Sequence, residues 1–231
     1  MKNDKKPNTA EPKTAENKIE SFLAKNFKKI LAGVIVIAVV IIAVCVGVYL
    51  YQKNIDKSFD ALLAAENQAS VLTVLDQSSA EYSSAKSAFL ASADALTAKG
   101  LDKYPGAKAE LLKGDVYFTE GDFTSAAASY QKVAAAQSKT YLGSLAMMNA
   151  AACYEELGDD SSAFDLYEAV FNDYGTEGAF ASKALFNTAR LYEARGNIEL
   201  ARATYEQLIG LYLNNGSEYA KLAQAKLVSL N

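Results

Sequence analysis

Hydrophobic residues follow two patterns along the chain: one long uncharged run and, after it, a series of helical stripes. The run covers residues 30–51 and contains no charged side chain. Its 22 residues would extend roughly 33 Å as an α-helix, about the hydrocarbon thickness of a bilayer. This pattern predicts one transmembrane helix over residues 30–51. The stripes that follow predict an all-α fold.

Lysine residues flank the apolar run unequally. Lys25, Lys28 and Lys29 precede it, whereas Lys53 and Lys57 follow it. By the positive-inside rule, the N-terminus is expected in the cytoplasm and residues 52–231 on the outer side.

Two other interpretations of the run are a cleaved signal peptide and a lipoprotein anchor. A signal peptide would have a shorter apolar core and a shorter leader than the 29 residues that precede Ile30. An anchor at Cys45 would need a small residue at position 44, where valine stands, and the apolar run continues past the cysteine. An uncleaved span is therefore predicted.

Residues 1–29 are expected to form a cytoplasmic tail. Lys, Asn, Thr, Glu and Pro dominate residues 1–17, a composition typical of disorder. Residues 18–29 would form either a short amphipathic helix on the membrane surface or a helical lead-in to the span. The apolar side of that helix would carry Ile19, Phe22, Leu23 and Phe27.

Beyond the span, five positions recur in three copies with the same internal spacing. The copies are aligned on Gly121, Gly158 and Gly196, which lie 37 and 38 residues apart. Each glycine follows a tyrosine by four residues and precedes an alanine by five, a tyrosine by nine and a valine or leucine by twelve. These residues are Tyr117, Ala126, Tyr130 and Val133; Tyr154, Ala163, Tyr167 and Val170; and Tyr192, Ala201, Tyr205 and Leu208. Such periodicity indicates stacked repeats.

Each copy is interpreted as a helix–turn–helix unit, with helix A before the glycine and helix B after it. The glycine is expected to end helix A in a left-handed conformation, and Asp122, Asp159 or Asn197 to begin or cap helix B. In helix B the recurring residues fall at i, i+4 and i+7 on one face. The alanine of that face, such as Ala163, is expected at the closest approach of the two helices. Ala127 is expected off this stripe.

The motif of a small residue, Tyr, Gly-Asp, Ala and Tyr resembles the tetratricopeptide repeat family. It is carried by the segments GDVYFTEGDFTSAAASYQKV, AACYEELGDDSSAFDLYEAV and TARLYEARGNIELARATYEQL, within about residues 104–231. The helix-A glycine is kept at Gly114, but Glu110, Met147 and Leu185 replace the family's tryptophan. The period of 37–38 is longer than the usual one and is similar to a bacterial envelope subclass. The resemblance implies a right-handed α-solenoid of helix pairs.

The segments beside the three repeats, which cover residues 104–216, are expected to be atypical. Residues 52–103 are expected to form a degenerate N-terminal helical pair, with helices over residues 56–75 and 78–98. Ser78 and Glu81 would form a capping box at the second of these helices. Residues 217–231 are expected to form a C-terminal capping helix.

The composition argues against an enzyme and against nucleic-acid binding. The chain has no His, and its two cysteines, Cys45 and Cys153, lie far apart without a CxxC motif. Neither a metal site, a disulfide framework nor a cofactor site is therefore expected. Residues 52–231 carry 15 basic and 23 acidic side chains, a net charge of −8 that disfavours nucleic acid.

By analogy with tetratricopeptide repeats, a partner protein would bind the face lined by the A helices. The positions expected there are Lys108, Leu111, Asp115 and Phe118; Leu145, Met148, Ala152 and Glu155; and Lys183, Phe186, Arg190 and Glu193. Phe118, Met148 and Phe186 either form a groove for a peptide or helix ligand, or pack against the protein's own flanking helices. Carboxylate-clamp repeats carry Lys or Asn where Leu111 and Asp115 stand, so binding of an acidic chain terminus is not expected.

A lysine-flanked span followed by an outward-facing degenerate repeat domain resembles the YfgM family. The resemblance implies a single-pass protein of the bacterial inner membrane, with its N-terminus inside and its repeat domain on the periplasmic side. Partners would be components of the secretion translocon or periplasmic chaperones. The alternative is an envelope-assembly or cell-division scaffold of the YbgF or BamD type, which usually carries a cleaved signal or a lipid anchor.

Overall fold

The computed structural model describes the backbone of residues 15–230 and the side chains of residues 18–230, and all regular structure in this part of the chain is helical. The helices are α1 (Ala15–Leu72), α2 (Ala80–Thr97), α3 (Tyr104–Thr119), α4 (Phe123–Ala136), α5 (Tyr141–Glu156), α6 (Asp160–Tyr174), α7 (Ala181–Ala194), α8 (Ile198–Tyr212) and α9 (Glu218–Ser229). The all-α prediction is confirmed. Residues 1–14 of the expected tail, and Asn231, lie outside the described residues.

The chain divides after Asp56 into two units. The first unit contains the part of α1 that includes the predicted span. Among the described residues, α1 is the helix that is long and apolar enough to cross a membrane. Its most apolar 18-residue window has a mean hydropathy of 3.3, and none of that window is buried by protein. Residues 18–29 are also helical, and Ile19, Phe22, Leu23 and Phe27 are exposed.

In the second unit, the glycine of each repeat ends helix A as predicted. Gly121, Gly158 and Gly196 have φ of +78°, +74° and +76°, a region that only glycine enters freely. At the first of these turns the Asp122 amide donates to the Tyr117 carbonyl (2.9 Å) and the Gly121 amide donates to Phe118 (3.0 Å). Both bonds recur at the other two turns. This Schellman arrangement satisfies carbonyls that the helix end would leave unpaired.

The residue after each turn glycine is the N-cap of helix B, as expected, and two of these three residues cap the helix with their side chains. The Asp122 carboxylate accepts from the Ser125 amide at 3.0 Å, and Asp159 accepts from Ser162 at 3.1 Å. Asn197 occupies the same N-cap position but makes no side-chain capping bond. Asn197 therefore begins its helix, which is one of the two expected roles, through the backbone turn alone.

The helix-B stripe is buried in all three copies, which confirms the predicted register. Its alanines, tyrosines and Val or Leu residues lie in the core: Ala126, Tyr130, Val133, Ala163, Tyr167, Val170, Ala201, Tyr205 and Leu208. The Tyr130 ring fills the space left by Gly114, where an added Cβ would come within 2.6 Å of the ring. A larger residue at Gly114 would displace this ring.

Ala127 lies off the recurring row of helix B, as expected, but it is buried. Only 3% of this residue is exposed, and it belongs to the same core cluster as Ala126. Helix α4 packs against α5 of the next repeat as well as against α3. The buried face of a helix B is therefore wider than a single i, i+4, i+7 row. Ala128, by contrast, is exposed.

A residue at the end of each helix B reaches back to the loop that precedes its own helix A. Gln137 donates to the Leu101 carbonyl at 2.7 Å, and the Tyr212 hydroxyl donates to the Thr176 carbonyl at 2.8 Å. The Tyr174 hydroxyl forms a hydrogen bond with the backbone of Lys139 in the equivalent loop. All three stand 16 residues after the turn glycine (137−121, 174−158 and 212−196), so each repeat is closed by the same contact.

Flanking helices cover both ends of the repeats. At one end Leu62 and Ala65 of α1, Phe89 of α2 and Val116 of α3 share a core cluster. At the other end Ala220 and Ala223 of α9 are buried against α8 residues. These helices remove the apolar faces that an open stack would expose.

The capping box predicted at Ser78 and Glu81 is wrong, because α2 is capped by the next serine. Ser79, not Ser78, is the N-cap, and its hydroxyl accepts from the Tyr82 amide at 3.0 Å. Ser78 is instead held by Asp76, which accepts from both its amide (2.9 Å) and its hydroxyl (2.8 Å). This local Asx turn competes with the helix for Ser78, and α2 begins at Ala80.

The first testable consequence concerns close packing between helices A and B. Ala126→Leu adds three carbons at a fully buried position and should lower the stability of a fragment of residues 52–231 by about 1–3 kcal/mol. Ala128→Leu, two residues along the same helix, should have little effect because Ala128 is exposed. Thermal unfolding of both variants, followed by far-UV circular dichroism, measures the difference. An equal loss in the two variants would contradict the helix register.

Candidate partner-binding surface

The predicted groove residues lie on α3, α5 and α7, but two of them are not on a surface. Leu111 is 1% exposed and Met148 is 4% exposed. Both side chains are covered by neighbouring helices in core clusters. The expectation that they face a groove is therefore corrected, since a buried side chain offers almost no area to a partner.

Phe118 and Phe186 illustrate the two alternatives for the apolar groove residues. Phe186 contacts Tyr205 and Tyr219 with ring centroids 5.7 Å and 5.8 Å apart. Because Tyr219 lies on α9, this phenylalanine packs against the protein's own C-terminal helix. Phe118 packs edge to face on Phe123 of its own repeat, at 5.2 Å, and remains partly exposed. Leu145 is half-buried and packs against the same core cluster as Phe118.

The charged groove residues form a recurring contact that the sequence did not predict. In each repeat, the buried tyrosine of helix B donates its hydroxyl to a carboxylate on helix A. The bonds join Tyr130 to Asp115 (2.6 Å), Tyr167 to Glu155 (2.6 Å) and Tyr205 to Glu193 (3.1 Å). A buried phenol needs such an acceptor, so these carboxylates complete the packing of the tyrosines.

Two of these carboxylates also bind a cation from the next helix pair. Arg190 of α7 pairs with Glu155, and Lys226 of α9 pairs with Glu193 at 3.1 Å. A related contact joins α2 to the first repeat, where Glu120 accepts from Tyr82 (2.7 Å) and pairs with Lys86 (2.6 Å). The carboxylates therefore link neighbouring helix pairs, and ion pairs within the protein largely neutralise their negative charges.

Burial sets the ionisation of this network. It raises the pKa of Tyr82 to about 12, with the hydrogen bond to Glu120 acting in the same direction. Burial, reinforced by the paired carboxylates, also raises the pKa of Tyr130, Tyr167 and Tyr205. The pKa of Asp115 is raised as well, because burial outweighs the hydrogen bond from Tyr130 and the charge of Lys108. Desolvation of a charged carboxylate has this sign.

Two neighbouring clefts keep part of the predicted face open. The first encloses about 290 Å³ and is mostly apolar; it is lined by Glu66, Ala69, Ser70, Leu72, Thr73, Tyr82, Leu112, Asp115, Val116 and Thr119. The second also encloses about 290 Å³ and is lined by Asp115, Phe118, Thr119, Tyr130, Asn149 and Ala152. Asp115 and Thr119 line both, so the clefts adjoin along α3. We call the two together the α3 cleft pair.

Some residues of the α3 cleft pair were not predicted as site residues. Ala69, Ser70 and Thr73 belong to α1 or to the turn that follows it, outside the three repeats whose family positions were used. Of the other predicted residues, Lys183 is exposed, and Lys108 is half-buried near Asp115. Ala152 lines the second cleft, whereas Glu155, Arg190 and Glu193 are held in the ion pairs.

Reactive chemistry is not concentrated at this surface. Among the described residues, no group of three or more His, Cys, Asp or Glu is placed to hold a metal ion. Cys153 is fully buried, and this burial raises the pKa of its thiol to about 11. A thiol with such a pKa is a poor nucleophile at neutral pH.

Comparisons with known proteins agree with this geometry. Family models of the tetratricopeptide repeat match residues 57–139 and 111–175, and a further one matches residues 183–212. A TPR repeat-containing protein of Treponema pallidum (strain Nichols) is 28% identical over 132 residues, which are 56% of this chain and 53% of the relative. The chain thus spans about half the length of that relative.

Solved structures similar to this chain include two of a putative kinesin light chain from Podosopora anserina with nearly identical TPR-like repeats. One is a form with a single substitution, with a TM-score of 0.53, and the other has a TM-score of 0.52. Each is 15% identical, covers 71% of this chain and is itself covered to 84%. At this identity the similarity concerns the fold.

The buried tyrosines predict a loss of stability at alkaline pH. In the unfolded chain tyrosine ionises near pH 10, whereas the raised pKa of Tyr167 keeps it protonated in the folded chain. The folded state then binds more protons, so the free energy of unfolding falls as pH rises above about 10. Tyr167 should contribute a slope approaching about 1.4 kcal/mol per pH unit.

The measurement is urea unfolding of the repeat fragment and its Tyr167→Phe variant between pH 9 and 11. The variant should be less stable at pH 9, since Glu155 loses a donor, and its stability should fall less steeply with pH. Parallel slopes for the two proteins would contradict the assignment.

Proposed function

Because the chain belongs to the tetratricopeptide repeat family, we propose that it is a membrane-anchored scaffold that presents its repeats on the outer side of the membrane. Tetratricopeptide repeats imply a protein–protein interaction scaffold. The observation that carries the proposed anchor is the apolar window of α1, none of which is covered by protein. Apolar surface of that length needs another apolar environment, and a bilayer supplies one. The proposed role is non-catalytic.

The proposed orientation rests on the lysines that flank the span. Lys25, Lys28 and Lys29 precede it, and Lys53 and Lys57 follow it. The excess on the preceding side favours a cytoplasmic N-terminus. The repeat domain would then lie in the periplasm of a bacterial cell, with the span uncleaved in the inner membrane.

The proposed partners are components of the secretion translocon or periplasmic chaperones, by resemblance to the YfgM layout. The alternative is an envelope-assembly or division scaffold of the YbgF or BamD type. N-terminal sequencing of the mature protein separates these two, because the alternative class usually loses a signal or gains a lipid. An intact N-terminus favours the first.

Within the repeat domain we propose the α3 cleft pair as the partner site. It combines an apolar lining with the carboxylate of Asp115 and the amide of Asn149. A few polar groups within an apolar concavity can orient a peptide or helix ligand. The ion-paired carboxylates of α5 and α7 offer less, because their charges already have partners.

The topology prediction is tested with protease and spheroplasts. Protease added outside should digest the repeat domain and leave a protected fragment that contains residues 1–51. An epitope at the N-terminus should survive, whereas an epitope after Asn231 should be lost. A repeat domain that resists protease until the membrane is permeabilised would contradict the orientation.

The partner-site prediction is tested with a photo-crosslinking phenylalanine analogue in native membranes. Placed at Thr119, which is exposed and lines both clefts, the analogue should give a discrete adduct. Placed at the exposed Ala128 of α4, it should give much less. An additional Asn149→Arg substitution should reduce the Thr119 adduct, because it fills the second cleft. Equal adducts at both positions would contradict the assignment.

A further inference from the structure

The loops that join each helix pair to the next lie at one end of the repeat domain. They comprise residues 98–103, 137–140 and 175–180, and each is bound by the end of a helix B. We call this end the loop rim. The tight turns within the repeats, around Gly121, Gly158 and Gly196, lie at the other end of the same helices. Helix α5 has 16 residues, so the two ends are about 24 Å apart.

Aromatic side chains are exposed along the loop rim. Phe59 stacks on Tyr104 with ring centroids 6.1 Å apart, and Tyr141 contacts Phe180 at 5.3 Å. Phe59, Tyr104 and Tyr141 are 46%, 52% and 63% exposed. Tyrosine has an apolar ring and a polar tip, and it is enriched where a membrane meets water. These rings form a row on α1, α3 and α5.

Exposed lysines accompany these rings. They are Lys57, Lys99, Lys103 and Lys139, and among the described residues none of them forms an ion pair. Lys103 donates instead to the backbone carbonyl of Lys99. Elsewhere in the domain some lysines are paired with carboxylates, as at Lys86, Lys113, Lys132 and Lys226. The positive charges of the four rim lysines are therefore available to bind an anionic group outside the protein.

Charge is distributed unequally between the two ends of the first two repeats. The loop rim there also has acids, Asp60 and Asp102, and Asp173 of α6 lines a cleft with Lys139. Its loops 98–103 and 137–140 nevertheless each carry a net charge of +1. The turns at the other end carry Glu120, Asp122, Asp159 and Asp160. Beyond α5 the pattern ends, because the third loop contains Glu177 and no base. In a domain of net charge −8, the basic aromatic surface is thus confined to the rim of α1–α5.

The first aromatic residue of the loop rim follows the predicted span closely in the sequence. Phe59 is eight positions after Tyr51, and eight residues reach at most about 29 Å even when fully extended. A tether this short gives the loop rim a high effective concentration at the membrane that would hold the span. Weak contacts between the two are then sufficient for binding.

We propose that the rim of α1–α5 rests on an anionic lipid headgroup surface. Tyr104 and Tyr141 lie at the interface, and Lys99, Lys103 and Lys139 contact lipid phosphates. A membrane fits because the rim presents separated rings and cations along three helices, a pattern suited to a flat, negatively charged surface. The proposal rests on the proposed membrane anchor.

The chain contains no tryptophan, so single tryptophans report individual positions. The full chain is reconstituted in vesicles of phosphatidylglycerol and phosphatidylcholine, with or without bromine on the acyl chains near the headgroups. Three variants are compared: Tyr51→Trp at the end of the span, Tyr141→Trp at the rim, and Leu157→Trp at the other end of α5. Bromolipid should quench the first two at least twofold and leave the third unchanged.

The outcomes separate the two proposals. If Tyr51→Trp is not quenched, the anchor itself is wrong. If Tyr51→Trp is quenched and Tyr141→Trp is not, only the rim proposal is overturned, and the rim faces solvent or a protein. Tyr104→Trp repeats the test at a second rim position in case Tyr141→Trp alters the fold, which far-UV circular dichroism checks.

The role of the lysines is tested in the Tyr141→Trp background. Combined Lys99→Glu, Lys103→Glu and Lys139→Glu substitutions should reduce its quenching by at least half, as should replacement of phosphatidylglycerol by phosphatidylcholine. High salt should act in the same direction, since it screens exposed charges. Quenching that is unchanged in all three conditions would overturn the electrostatic contact with lipid.

Discussion

The close approach of helices A and B within each repeat is the contact on which the rest of the domain depends. It requires a turn that reverses the chain within a few residues, and the left-handed Gly121, Gly158 and Gly196 provide it. It also requires alanine at the point of contact. Once the helices are this close, the tyrosine one turn later is covered by helix A, as Tyr130 is over Gly114. A buried phenol then needs an acceptor, and in all three copies helix A supplies a carboxylate.

Local sequence patterns predicted this unit well, because its determinants lie within about 20 residues. The spacing of Gly, Ala and Tyr identified the turns, the register of helix B and the family. Two details escaped prediction. Ala127 is buried because helix B contacts two A helices, a consequence of stacking rather than of one helix pair. The start of α2 after Ser79 rather than Ser78 depends on competing local hydrogen bonds, which residue type alone does not decide.

The candidate site was less predictable, because its character depends on contacts between distant residues. Family positions placed Glu155, Arg190 and Glu193 on one face. They could not reveal that Glu155 and Arg190, 35 residues apart, pair with each other. Leu111 and Met148 share that helical face but are covered by helices whose position follows from the stack. The surface that remains open, the α3 cleft pair, includes α1 residues outside the three repeats. No sequence motif identified those residues.

The carboxylates that accept from the tyrosines also explain how the repeats are coupled. Glu155 and Glu193 each bind a tyrosine of their own repeat and a cation of the next helix pair. Stability in such arrays is the sum of the stability of each repeat and of its contacts with the neighbouring repeats. Glu155 and Glu193 contribute to both. The interior network and the α3 cleft pair share Tyr82, Asp115 and Tyr130. The rim residues take no part in either. A scaffold arranged in this way can contact a bilayer through its loops while the α3 cleft pair remains accessible to a protein partner.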